Sequence, residues 1–157
     1  MNINRGKQFE QAVRDSIEKL PYVTIIRLTD PQAKYKGICN PCDFICYAHN
    51  RMFMLECKCC YGNTMPFSMI TNNQWNSMTA EDSKNNGVIA GILVWFIDHD
   101  ITLFVSIRRL NILLNNGKKS INVNHLEELE GDYTVIGGVK KRIMFDYDME
   151  QLFRGKI

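Results

Sequence analysis

The segment that decides the fold spans residues 41–60 and has the sequence PCDFICYAHNRMFMLECKCC. Two runs rich in apolar residues flank the polar pair His49-Asn50, a pattern that predicts two antiparallel strands joined by a tight turn. We expect these strands over residues 43–48 and 51–59. The resulting hairpin is the framework on which the rest of the fold is predicted.

Three charged side chains interrupt this apolar hairpin. Asp43 and Glu56 lie almost symmetrically about the turn, so the predicted register places them opposite each other. Alternate residues of a strand share one face, and Lys58 therefore points the same way as Glu56, whereas Leu55 and Cys57 point into the core. The hairpin thus gathers two carboxylates and one ammonium group in a small area.

Such a cluster requires a cation, because neighbouring carboxylates repel and one of them would otherwise be protonated. Mg²⁺ and Mn²⁺ prefer oxygen ligands, and we expect one of them to be bound by Asp43, Glu56 and the backbone carbonyl of Cys57. A bound metal acidifies water and offsets the charge that develops on a phosphate, while Lys58 can orient or deprotonate the attacking water. The cluster therefore predicts metal-dependent phosphodiester hydrolysis.

The remaining sequence predicts an α/β fold around the hairpin. Asn4 caps a predicted helix over residues 5–20, where apolar residues recur at helical spacing, and a β-branched strand follows at residues 23–28. Further predicted elements are loops at 30–41 and 62–66, a helix at 71–84, strands at 87–96 and 102–106, a helix at 107–115, a hairpin of strands 133–136 and 142–147 turned at Gly137-Gly138, and a short helix from Asp148. This order predicts a mixed sheet flanked by helices.

The composition is that of an ordinary soluble globular protein, with 157 residues, 45% hydrophobic and 23% charged. We expect one domain over residues 1–157, with a core at 4–114 and a C-terminal extension at 115–157. The first residues lack the apolar segment of a secretion signal, and the most apolar stretch, residues 88–97, is about half the length of a membrane span. We therefore expect a cytoplasmic protein, of a bacterial or phage-infected cell, that has no membrane partner.

The six cysteines leave a different interpretation open. Disulfides are not expected, since cytosolic thiols stay reduced. Cys39-x-x-Cys42 together with Cys57-x-Cys59-Cys60 could ligate zinc, which would make the chain a zinc-binding module without catalysis. Alternatively, these thiols pack as small hydrophobic side chains, because Cys57 and Cys59 share one face of a strand.

The opening residues Asn4-Arg5-Gly6-Lys7-Gln8-Phe9-Glu10 resemble the start of RecU-type Holliday junction resolvases. In those proteins, and in their archaeal relatives, a strand, an Asp, Glu-x-Lys, a helix with a Gln and a pair of apolar strands follow. The similarity spans residues 4–114, and its Asp/Glu-x-Lys part recurs throughout the PD-(D/E)xK nucleases. It implies a restriction-endonuclease-like fold with a mixed β-sheet and the core order α-β-β-β-α-β.

The resemblance also implies roles for individual side chains. Glu10 would contribute a carboxylate near the metal, and Asp43 and Glu56 would be direct metal ligands. Lys58 would be the catalytic lysine, and Gln74 would touch the scissile phosphate or its water. The resemblance and the hairpin therefore assign the same chemistry to the same residues.

Basic residues on segments that border the predicted site are candidates for phosphate contacts, and they are Arg5, Lys7, Lys34 and Lys36. A second candidate is the run Lys140-Lys141-Arg142 on the predicted tail hairpin. The net charge of +2 does not by itself indicate a polyanionic partner. Each of these side chains could equally be a solvated charge.

The expected function is that of an endonuclease that cuts branched or four-way DNA and leaves 5′-phosphate and 3′-hydroxyl ends. Symmetric cleavage of a junction implies a C2 homodimer, with an interface formed by the hairpin at residues 88–106 or by the tail. An alternative is a PD-(D/E)xK nuclease that acts on flaps, duplex ends or a specific duplex site. Residues 29–41 are shorter than the corresponding insertion of RecU-type proteins.

Overall fold

A computed structural model describes residues 4–29 and 39–154. The helices are α1 (Arg5–Glu18), α2 (Asn72–Ser83), α3 (Ile107–Asn115) and α4 (Glu150–Arg154). The strands are β1 (Thr24–Arg27), β2 (Phe44–Ala48), β3 (Arg51–Cys60), β4 (Thr64–Pro66), β5 (Val88–Phe96), β6 (Ile101–Ser106), β7 (Ser120–Asn122), β8 (Tyr133–Val135), β9 (Gly138–Lys141) and β10 (Met144–Tyr147). Among the helices in these two ranges, none has the length and apolar character required to cross a membrane.

Six strands form the main sheet in the order β1-β2-β3-β5-β6-β8. β3 and β5 are parallel, and every other neighbouring pair is antiparallel. A parallel pair requires a crossover connection, and here that connection contains α2. The mixed α/β sheet flanked by helices that the sequence predicts is confirmed.

The β2–β3 hairpin has the predicted turn and the predicted register. His49 and Asn50 have φ values of 50° and 60°, the left-handed conformation that suits a two-residue hairpin turn. Phe44 pairs with Leu55 in the ladder, and the Asp43 N–H donates to the Leu55 carbonyl at 3.1 Å. This register therefore brings the residue before β2 beside Glu56.

Helices cover both faces of the sheet. On one face, the apolar stripe of α1 packs with α4 over the odd-numbered residues of β3, and Phe9, Val13 and Ile17 are fully buried. On the other face, α2 and α3 pack over β5 and β6, with Met78 and Leu110 fully buried. Each such side chain contributes about 1.5–3 kcal/mol of burial free energy, so the sheet is a firm base for the residues at its edge.

The tail does not form the predicted hairpin. β8 joins the main sheet beside β6, and the hairpin consists of β9 and β10, with its turn at Arg142-Ile143. The pair Gly137-Gly138 looked like turn residues, but a Cβ on Gly138 would lie 2.5 Å from the Asp146 carbonyl oxygen. Glycine is therefore needed at this position for close strand pairing rather than for a turn.

Two further expectations are corrected. Residues 64–66, predicted as loop, form β4 and pair with β7, because both short segments have a backbone partner within reach. The hairpin of residues 88–106, proposed as a dimer interface, lies in the interior of the sheet between β3 and β8 and beneath helices on both faces. Its apolar side chains are already buried within one chain.

Candidate active site

The candidate site lies along an open edge of β3. β2 begins at Phe44, opposite Leu55, whereas β3 continues to Cys60. Beyond Glu56, no strand of the described residues pairs with this side of β3, and only its other side is paired, with β5. The start of α2 flanks this edge. Because no strand pairs with it, the edge is open to solvent, and the sheet beside it is rigid.

Glu56 is the buried centre of the site, with an exposed fraction of 2%. Its Oε1 accepts hydrogen bonds from Lys58 Nζ and from Gln74 Nε2, each at 2.7 Å. Its Oε2 is buried and has no hydrogen-bond partner among the described residues. Leaving a buried carboxylate oxygen without a partner is costly, so this atom is suited to binding a cation.

Gln74 is held in place by a capping box at the start of α2. The Thr71 hydroxyl accepts from the Gln74 N–H at 3.2 Å, and Gln74 Oε1 accepts from the Thr71 N–H at 3.0 Å. Gln74 Oε1 also lies 3.4 Å from Lys58 Nζ. The sequence predicts Thr71 as the cap. The reciprocal bond from Gln74 was not predicted, although the spacing Thr-x-x-Gln is typical of it.

Asn73 is a second residue that the sequence analysis missed. Its Nδ2 donates to the carbonyl oxygens of Cys39 and Asn40, at 3.3 and 3.1 Å. This contact ties the chain before Asp43 to α2 and so helps to fix the entry of β2. No local sequence signal could have indicated it, because 33 residues separate Asn73 from Asn40.

Asp43 lies beside Glu56, as the register predicts. Its Oδ2 accepts a hydrogen bond from the Cys57 N–H at 2.8 Å. Burial raises the pKa of Asp43 to about 6, against the lowering effect of that hydrogen bond. Burial, and then the Asp43 charge, raise the pKa of Glu56 to about 7, against the lowering effect of Lys58. Without a cation, the two carboxyl groups therefore keep their protons to a higher pH than ordinary carboxyl groups do.

Glu10 lies close enough to the site for its charge to raise the pKa of both Asp43 and Glu56. Its own carboxylate, however, accepts from Arg27 Nη2 of β1 at 3.0 Å. The structure therefore brings Glu10 near the site but occupies it with an ion pair that the sequence analysis did not predict. This pairing explains how a third carboxylate is tolerated near the other two.

The oxygen donors at the site fit a hard divalent cation. Asp43, Glu56 and the carbonyl of Cys57 would supply two carboxylates and one backbone oxygen, the donor type that Mg²⁺ and Mn²⁺ prefer. Among residues 4–29 and 39–154, no group of three or more His, Cys, Asp or Glu side chains is arranged to hold a metal ion. The alternative zinc cluster is thus not formed there, and the cysteines are free thiols.

Two of the four residues predicted to contact phosphate lie among the described residues. Arg5 and Lys7 lie in the first turn of α1, where Arg5 donates to Gln8 at 3.0 Å and Lys7 is exposed. Lys34 and Lys36 lie outside the described residues. The first turn of α1 thus remains a candidate for phosphate contacts.

We expect a divalent metal to raise the melting temperature more at pH 8 than at pH 5. With both pKa values raised, the folded protein keeps protons between about pH 4 and pH 7 that the unfolded chain releases. The metal-free protein therefore loses stability as pH rises through this window, and a metal that replaces the protons restores it. At 100 times its Kd the metal adds about 2.7 kcal/mol, or roughly 5–10 °C for a chain of this size.

Thermal melting with and without Mg²⁺ or Mn²⁺ measures this difference. Asp43→Asn is the control, because it should remove the metal increment and raise the metal-free melting temperature at pH 8. A metal-induced rise in melting temperature that is equal at pH 5 and pH 8 would contradict the expectation.

A comparison with protein families agrees with the resemblance in the sequence. Residues 23–147 match the family model RecU, described as Recombination protein U. No curated protein matches the chain. A similar solved structure is Hjc of Archaeoglobus fulgidus, described as a Holliday junction resolvase from an archaeal hyperthermophile. The two sequences are 14% identical, and the match covers 66% of this chain and 78% of the Hjc chain with a TM-score of 0.48.

The family match extends beyond the 4–114 range expected from the sequence and starts after α1, so Glu10 lies outside it. It includes the elements that carry Asp43, Glu56, Lys58 and Gln74. With most of its length matched, the chain belongs to the RecU family of Holliday junction resolvases.

Proposed function

We propose that this chain cuts four-way DNA junctions with a divalent cation bound by Asp43, Glu56 and the carbonyl of Cys57. Membership of the RecU family makes it an endonuclease of DNA recombination, and divalent-metal dependence is general for the fold. The observation that carries the assignment of these residues is the partnerless, buried Oε2 of Glu56 beside Asp43. A catalytic carboxylate needs a free oxygen of this kind, whereas a structural ion pair does not.

The two carboxylate oxygens of Glu56 have different surroundings, which supports a catalytic role for Lys58. Lys58 Nζ and Gln74 Nε2 both bond Oε1 of Glu56, which leaves Oε2 for a cation. A bound divalent cation supplies acidification of water and charge compensation on the phosphate. The Lys58 ammonium, with an exposed side-chain fraction of only 16%, can orient the water and stabilise negative charge on the phosphate. Gln74 contacts both Lys58 and Glu56 and so holds the two side chains in position relative to each other.

The donor chemistry supports Mg²⁺ or Mn²⁺ as the metal. All three proposed donors are oxygen atoms, which favours Mg²⁺ or Mn²⁺ over zinc, since zinc prefers nitrogen and sulfur ligands. The nearby thiols of Cys42 and Cys57 are buried, and burial raises their pKa, to about 12 for Cys42. Protonated thiols are poor metal ligands, so they do not compete with the carboxylates.

Resolution of a junction also supports a homodimer as the active form. Two strands must be cut at symmetric positions, and one chain offers one such site. A C2 dimer places two copies of the site in the required relation. We therefore propose a homodimer whose interface lies outside the buried β5–β6 hairpin.

Cleavage of a synthetic four-way junction, compared with a linear duplex of the same arm sequence, tests the function. In Mg²⁺ we expect the junction to be nicked at least about tenfold faster, since a tenfold ratio corresponds to only about 1.4 kcal/mol of preference. Ligation of the products then reports the 5′-phosphate and 3′-hydroxyl ends. Equal cleavage of both substrates, or preferred cleavage of a flap, would favour a nuclease for other DNA structures.

A further inference from the structure

A basic cavity lies at the end of β3, on the face of the sheet that α1 covers. It has a volume of about 250 Å³, and its lining includes Arg5, Tyr61, Trp95, Lys140 and Arg142. Its members come from the start of α1, the residue after β3, the end of β5 with the turn that follows, and the β9–β10 hairpin. These segments are far apart in sequence, so the cavity is a product of the fold.

The turn after β5 holds these segments together. The Gly62 N–H, next to Tyr61, donates to the Asp98 carboxylate at 2.6 Å, and Lys140 forms an ion pair with Asp100. Tyr61 thus lies between two fixed neighbours, the end of β3 at Cys60 and the hydrogen-bonded Gly62. The ion pair neutralises Lys140 and leaves the other cations of the cavity uncompensated.

Arg5 and Arg142 have no carboxylate partner among the described residues, whose ion pairs are formed by other side chains. Tyr61 belongs to the same lining and is 64% exposed. A Tyr ring in water gains nothing for folding, and unpaired arginines attract phosphate. An exposed aromatic ring flanked by free cations is the combination that binds single-stranded DNA.

The backbone at Arg142 adds an independent observation. Arg142 has φ 43° at the tip of the β9–β10 hairpin, where glycine or asparagine would be less strained, and the next residue, Ile143, is 43% exposed. Folding alone would not select these two side chains for a solvent-exposed turn. A side chain kept at a strained turn position is consistent with a role outside folding.

The cavity is close to the open edge of β3 along the chain. Tyr61 lies just after the end of β3 and follows Lys58 by three residues, a separation of at most about 10 Å along the chain. This length equals about three base steps of DNA, at about 3.4 Å per step. A DNA strand that passes from the site around the end of β3 therefore reaches Tyr61 within a few nucleotides.

We propose that Tyr61, Arg5 and Arg142 form a strand-binding subsite, in which Tyr61 stacks on an unpaired base near the branch point and the arginines bind phosphates. This inference rests on the proposed function and adds a cause for junction selectivity. Bases at a branch point can be unstacked, whereas those of a linear duplex are paired and enclosed. Stacking on Tyr61 therefore contributes to junction binding and not to duplex binding.

Equilibrium binding in the Asp43→Asn background tests the stacking. We expect Tyr61→Ala to weaken binding of a four-way junction about tenfold and to leave duplex binding unchanged, since stacking of one base contributes on that scale. Tyr61→Phe keeps the ring and should bind within about twofold of the parent. Tyr47→Ala is the matched control, because Tyr47 is 53% exposed on β2, away from the cavity.

Two outcomes would overturn the subsite: a loss at Tyr61→Ala no larger than at Tyr47→Ala, or an equal loss on junction and duplex. Because binding is measured without cleavage, this test is separate from that of the nuclease. A wild-type chain that cleaves junctions while Tyr61→Ala binds them normally refutes only the subsite.

Arg142→Asn separates a functional role from a structural one. Asparagine tolerates the left-handed backbone, so the melting temperature should stay equal or rise. Junction affinity should nevertheless fall, and the slope of log Kd against log salt should decrease by about 1. Arg51→Asn, an exposed arginine beside the β2–β3 turn, is the control. An unchanged slope in Arg142→Asn would remove the arginine from the subsite.

Discussion

Asp43→Asn and Glu56→Gln are expected to lower the single-turnover rate of junction cleavage by about 10³-fold or more, because each removes a proposed metal ligand. Asparagine keeps an oxygen that can accept from the Cys57 N–H, as Asp43 does at 2.8 Å. Glutamine has nearly the same shape as Glu56 and fits its buried site. The fold should therefore survive, and junction binding should stay within a few-fold of the wild type.

The measurement is cleavage of a labelled junction with enzyme in excess, together with binding of the same junction. Asp15→Asn is the control, because Asp15 is an exposed carboxylate of α1 whose hydrogen bond is to Gln11. Cleavage by either variant at a near-normal rate would refute the site. Loss of binding together with cleavage would instead indicate a folding defect, which thermal melting identifies.

Lys58→Ala is expected to lower the cleavage rate by about 10²–10³-fold, the usual cost of losing one group that stabilises a transition-state charge. It should also shift the acidic limb of the pH–rate profile to higher pH. The Lys58 charge lowers the pKa of Glu56, so its removal raises that pKa, and ionisation of Glu56 then requires a more alkaline solution. A merely structural lysine would change stability without moving the profile.

The chain contains a matched control for this prediction. Lys84 bonds Glu81 at 2.7 Å, the same distance as in the Lys58–Glu56 pair, but its side chain is 55% exposed, compared with 16% for Lys58. A solvated ion pair contributes little, so Lys84→Ala should leave the rate and the pH profile unchanged. Equal behaviour of the Lys58 and Lys84 variants would argue against a catalytic lysine.

The parts of the site that the sequence predicted are those set by local rules. The His49-Asn50 turn fixes the hairpin register, and the register places Asp43 beside Glu56. Strand alternation then orients Lys58 toward the face that α2 covers. These relations involve neighbours in a ladder, so residue spacing is enough to derive them.

The parts that were missed depend on contacts between distant segments. The Glu10–Arg27 ion pair joins α1 to β1, and nothing in either segment indicates its partner. The pairing of β8 with β6 was hidden because Gly137-Gly138 resembles a turn, whereas the actual turn at Arg142-Ile143 lacks the usual turn residues. Spacing rules do not identify a turn whose side chains are not those that turns favour.

The parallel pairing of β3 with β5 has a consequence for how the enzyme matures. The β2–β3 hairpin is local and can form early, but Gln74 lies in the crossover that must close before β5 docks beside β3. Until that long-range step, the Gln74 side chain cannot contact Lys58 and Glu56, and these two side chains remain hydrated. A polypeptide in which β5 has not yet docked therefore lacks the assembled site.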